Sequence, residues 1–188
     1  MSGDTYNLND CNIAAIGDDA KGKFLFNGTA SPLTSASLQT VILSIKEKMS
    51  ESDELSDFID DLMEFTSIRK RKIIGLENKL HDGNRDDLIE DAIYLKNKFE
   101  RKLAKNQLFI SEQKVYVQVL AFICTVFNNK ILPLIKESQT NKEIDSEIFD
   151  KIINEVHNAL IHYDNTFTTE LVKGMLFYLT GKCHLVWR

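Results

Sequence analysis

A chain of 188 residues with 43% hydrophobic and 27% charged side chains has the make-up of one globular domain. That excludes a disordered chain and removes any need for disulfides or metal to stabilise the fold. A net charge of -5 excludes a nucleic-acid binder that works by bulk charge alone, because phosphate neutralisation by Lys and Arg supplies most non-specific affinity.

The cysteines Cys11, Cys124 and Cys183 are odd in number and widely spaced, which is the pattern of a reduced, cytoplasmic protein. No signal peptide and no apolar run of ~18 residues is found, so no membrane association is expected. Residues 1 to about 34 are rich in Gly, Asn, Asp and Thr, and from Ser35 onward apolar residues recur at helical spacing. The domain reading is therefore an N-terminal arm, 1–34, and a helical domain, 35–188.

In the arm, Asn12–Ile16 and Lys23–Phe26 flank a polar loop and predict a short β-hairpin. A lone hairpin is marginal in water, so the arm is expected to pack on the body, to pair with a second copy, or to be partly disordered. The first helix is predicted from Ser35 to Met49, with Leu38, Val41, Ile42 and Ile45 on one face. The next is capped by Ser52 or Asp53 and carries the stripe Leu55, Phe58, Ile59, Leu62 and Phe65. Gly75 and His81–Asn84 interrupt the pattern, and a long helix then runs from Asp86 to about Leu108 over Leu88, Ala92, Leu95, Phe99 and Leu103. The stretch Val115–Phe127 is apolar all round and predicts the central, most buried helix, which Pro133 should kink or end near Leu132. Two more helices are expected, about Asp145–His162 and Thr168–Thr180, the second closed by Gly181. The apolar tail Cys183–Arg188 should pack back in extended form. The fold class is mainly α: a bundle of five to seven helices around one central apolar helix, with a short N-terminal β-hairpin arm.

Gly17-Asp18-Asp19-Ala20-Lys21-Gly22-Lys23 has the spacing of a phosphate-binding loop, yet three features oppose that reading. Phe24 stands where a hydroxyl must bind magnesium, two aspartates would repel phosphate, and a strand follows where a helix N-terminus is needed. A metal-dependent hydrolase would require His157, His162, Cys183 and His184 to converge, but their spacing is not that of a ligand pair. Cys183 is expected to pack inward and His184 to lie on the surface. The acidic run Asp53–Glu64 reads as a solvated helix face. No nucleophile elbow or catalytic, cofactor-binding or metal site is legible, and the chain is read as a non-enzyme without a cofactor.

Two basic runs remain: Arg69, Lys70, Arg71 and Lys72, and Lys98, Arg101, Lys102 and Lys105 at helical spacing. If they shared a face they could contact nucleic-acid phosphates, which gives the alternative reading of a DNA-associated accessory protein. No aromatic residue is interleaved with them in sequence. As a solvated, dipole-matched surface they need no ligand.

Several stretches resemble a known bacterial family. Phe24-Leu25-Phe26-Asn27-Gly28-Thr29-Ala30-Ser31-Pro32-Leu33-Thr34 precedes the first helix, and Ile74-Gly75-Leu76-Glu77-Asn78-Lys79-Leu80 follows the basic run. Leu88-Ile89-Glu90-Asp91-Ala92 opens the long helix, and the segment from Gly174 to His184 closes the chain. Together they resemble a C-terminal domain of the ABC-three-component systems of bacteria. The resemblance implies a non-catalytic interaction and assembly subunit in anti-phage or anti-plasmid defence, coupling an effector such as a nuclease or protease to an ABC-type ATPase. With only about 34 residues ahead of the helices, it further implies an effector carried on a separate protein.

Overall fold

The computed structural model describes residues 34–48, 65, 67–69, 72, 74–106 and 109–188. The N-terminal arm, Cys11 and the helix expected over Asp53–Phe65, apart from Phe65 itself, lie outside the described residues, as do Lys70 and Arg71. Among the described residues there are six helices and no strand.

Helix α1 is Ser35–Lys48 and α2 is Leu76–Asp82. A single 3₁₀ turn, Asp86–Leu88, leads into α3, Ile89–Lys105. Helix α4 covers 110–136 and α5 covers 141–160, each interrupted by a π turn, and α6 is Thr169–Gly181. The expected central helix is found. In α4, Val115 to Val117, Val119 to Cys124, Val126 and Phe127 are all buried. The segment Ser111–Lys136 is long and apolar enough to cross a membrane, but 72% of its apolar 18-residue stretch is buried inside the bundle, as befits a core helix. Helix α1 packs on α4 and α5, while α3 lies along α6 with α2 beside both.

Four expectations need correction. A short helix, α2, follows Gly75 and takes in His81 and Asp82, the first two residues of the stretch expected to interrupt the helical pattern. Gly75, at φ 85°, supplies the left-handed turn that starts it, and Leu76 and Leu80 bury its inner side. Second, of the two outcomes expected at Pro133, a kink or an end near Leu132, the end does not occur. The π turn Phe127–Ile131 widens the helix immediately before Pro133, so the proline opens a further α-helical segment, Leu132–Lys136.

Third, α5 starts at Asn141, not Asp145. Thr140 accepts the Glu143 amide at its hydroxyl while the Glu143 carboxylate accepts the Thr140 amide, a reciprocal cap that satisfies two otherwise orphaned donors. Fourth, Gly181 is the last residue of α6 and not its left-handed cap. That conformation falls on Cys183, at φ 67°, whose amide donates to the Thr180 carbonyl while the His184 amide donates to Leu179.

Candidate functional site

The described residues hold three polar constellations. The first ties the C-terminal tail to the start of the α2–α3 unit. The Lys79 side chain is buried and its Nζ donates to the Leu185 carbonyl at 2.7 Å. Arg188 pairs with Asp82 at 3.0 Å. Trp187 lies beneath Gly83, where any Cβ would fall on the Trp187 carbonyl oxygen. Its indole N–H donates to the Thr180 hydroxyl, which in turn donates to the Leu176 carbonyl.

Over the same indole sits Arg85, only 1% exposed, with its guanidinium carbon 5.5 Å from the ring centroid. Its Nη2 donates to Asp145 at 2.7 Å, and Asp87 stands 3.5 Å from Nε. Three separate pieces of chain, 82–87, Asp145 in α5 and the tail, therefore meet at one buried cation. Both carboxylates are half exposed, and Nε and Nη1 have no hydrogen-bond partner among the described residues.

His184 belongs to the same end of the molecule and corrects the expectation of a surface residue. It is fully buried, its ring packs 5.5 Å from that of Phe65, and Nε2 lies 3.3 Å from the Ser67 carbonyl. The left-handed turn at Cys183 breaks the in–out alternation of an extended tail, so Cys183, His184 and Leu185 are all buried in succession. Cys183 does pack inward, as expected. His157 is partly buried and His162 exposed, and among the described residues no three His, Cys, Asp or Glu side chains converge as a metal site would require.

The second constellation lies where α3 ends and α4 begins. Tyr163 donates to Glu112 at 3.0 Å, and Asn106 donates to the Tyr116 hydroxyl at 2.8 Å. Burial and then the Glu112 charge push the Tyr163 hydroxyl up to about 12. Burial likewise raises Tyr116. Both phenols therefore stay protonated and act as polar struts at the end of the bundle.

The third is the basic row of α3. Lys98 pairs with Glu170 at the start of α6, which raises the ammonium pKa and lowers the carboxyl pKa. Lys102 reaches Thr166 at 3.1 Å and Asp164 at 4.0 Å, and its ammonium sits 4.8 Å from the Phe167 ring centroid. Arg101 and Lys105 are exposed. Of the other basic run, Arg69 meets the opposite end of α6, where its amide donates to the Lys182 carbonyl. Glu170 and Lys182 are separated by nearly the whole of α6, about 18 Å at 1.5 Å per residue. Lys98 and Arg69 are thus anchored at opposite ends of one helix. Tyr94, which had no place in the sequence reading, stands 60% exposed one turn before Lys98.

Most of the polar contacts described above tie segments of this helical body to one another. The chain belongs to the family described as C-terminal domain 9 of the ABC-three component (ABC-3C) systems, whose profile matches residues 75–187. The match runs from the glycine that starts α2 to the tryptophan under Gly83, so it spans the α2–α3–α6 unit, the central helix and the tail lock. No curated protein and no solved structure matches the chain.

Among the described residues, the stretches that carry the resemblance include close-packing positions, while Phe24–Leu33 lies outside the described residues. Gly174 is the clearest: a Cβ there would stand 2.5 Å from the Leu95 carbonyl oxygen and 3.1 Å from the Phe99 Cβ. It is what lets α3 and α6 touch backbone to backbone.

Proposed function

We propose that this domain is a non-catalytic assembly subunit of an ABC-three-component defence system, acting in the cytoplasm to couple an effector to an ABC-type ATPase. The observation that carries the reading is the family match over residues 75–187. It is supported by where the matched residues lie: Gly75, Gly83, Gly174, Thr180 and Trp187 shape helix contacts and the tail lock.

Co-expression with the neighbouring genes tests the reading. The expected result is a stable complex that co-purifies with an ATPase or an effector through size exclusion at physiological salt. A domain that elutes alone from every such co-expression would overturn it.

A further inference from the structure

One surface of the molecule has been given no role so far: the outer face of α3. Its inner side lies on α6 and α2, with Ala92, Phe99 and Leu103 buried. The outer side shows Glu90, Tyr94, Lys98 and Arg101 at spacings of three and four, and Asp87, in the 3₁₀ turn just before α3 and 3.5 Å from Arg85, continues the stripe. On a helix these positions lie within about 40° of one line.

The stripe has a symmetry of its own. It is acidic before Tyr94 and basic after it, and Tyr94 stands at the midpoint. Glu90 and Lys98 are each four residues from Tyr94, and Asp87 and Arg101 are each seven away. Large exposed aromatics at the centre of a charged rim are the composition of an interface core.

The geometry points to a second copy of this chain as the occupant of that face. The two α3 helices would cross antiparallel on a two-fold axis through Tyr94. Glu90 of each copy then faces Lys98 of the other, Asp87 faces Arg101, and the two Tyr94 rings meet on the axis. A two-fold contact must be self-complementary, and a helix face with reversed charge about its centre meets that condition.

A nucleic-acid backbone fits worse, because its phosphates would run against Asp87, Glu90 and Glu170. A uniformly acidic or basic protein segment would match one half of the stripe and be repelled by the other. Glu90 and Arg101 have no ion pair within the described chain. Lys98 is already oriented by Glu170, and its remaining ammonium protons can serve a second carboxylate.

Sedimentation of the full chain at low and high salt tests this. The association should be weak, because exposed ion pairs are individually small, and should loosen by on the order of tenfold between about 50 and 500 mM salt. Tyr94→Arg places two cations on the axis and should leave a folded monomer. Glu90→Lys and Lys98→Glu should each be monomeric alone. Mixed in equal amounts they should associate again, since each like-charged pair is then replaced by an opposite one.

Circular dichroism checks that the variants keep their helices, and Tyr94→Arg covers the case in which Lys98→Glu disturbs the Glu170 contact. The proposal fails if the wild-type chain stays monomeric at high concentration in low salt. It fails equally if Tyr94→Arg leaves a dimer intact, if the mixture does not recover association, or if the face binds a DNA duplex without self-association.

Discussion

Single residues decide how closely the elements of this domain can approach. At Gly174 the requirement is space: a methyl group would drive into the Leu95 carbonyl. Gly174→Ala is expected to destabilise the fold by about 1–3 kcal/mol through overpacking, read as a lower urea midpoint with an unchanged slope. Gly83 likewise makes room for Trp187, and its own backbone is unstrained at φ -87°. Arg85 carries the other residue-scale prediction. Its guanidinium is buried and Asp145 is 50% exposed, so the two halves of the pair are unequal. Asp145→Ala strands a buried cation with only the longer Asp87 contact and should cost about 1–3 kcal/mol, less than a fully buried pair because one partner is half solvated. Arg85→Met leaves both carboxylates in water and keeps the packing on Trp187, so it should cost less. Denaturant titration of both variants gives the order, and the reverse order would show that the cation is not what the site stabilises.

The elements show how local chemistry sets helix boundaries. Three left-handed closures fall on Asn84, Ser138 and Cys183 rather than on glycine. Only Ser138 is exposed without a tertiary role among these, so Ser138→Gly should stabilise the chain by about 0.5–1 kcal/mol, seen as a higher melting temperature. The cap of α5 predicts the opposite sign. Thr140→Ala should lose about 1 kcal/mol at neutral pH. The same cap also makes this loss depend on pH. The Thr140 hydroxyl and then its amide hold the Glu143 carboxyl below its usual range, so the contribution is present above the ordinary carboxyl pKa of about 4.3 and disappears as the pH falls through the lower, folded value. The difference between Thr140→Ala and wild type is therefore expected to shrink in acid when thermal melts are compared at neutral pH and near pH 3. Both π turns have plain local consequences. The first carries α4 past Pro133. The second lies in α5 between the capped segment Asn141–Ile148, which includes the Arg85 partner Asp145, and the segment beginning at Glu155, whose carboxylate receives the Ser35 amide at the start of α1.

For the molecule as a whole, the tail closes the bundle. Trp187 is the chain's one tryptophan and is 2% exposed, so it reports directly on that closure. Its emission is expected to be blue-shifted in the native state and to change in the same transition as the far-ultraviolet helix signal. A fluorescence change that precedes helix loss would show the tail to be a separate unit. Much of this architecture was legible beforehand. The periodic apolar positions of α1, α3 and α6 determined their existence and inner faces, and the unbroken apolar stretch Val115–Phe127 determined which helix would be central, because a helix without a polar face can only be buried. The family, too, was legible in short motifs of packing residues. The tertiary structure alone decided the rest. The sequence could not show that Gly174 and Gly83 provide contact room, that His184 turns inward, or that Arg85, Asp145 and Trp187 meet, since these depend on atoms brought together from segments about 60 to 120 residues apart. Nor could it place Lys98 and Arg69 at opposite ends of α6, or set Tyr94 on an uncovered face between acid and base. Periodicity records which side of a helix is buried. What stands on the other side, and against what, is settled only when the helices pack.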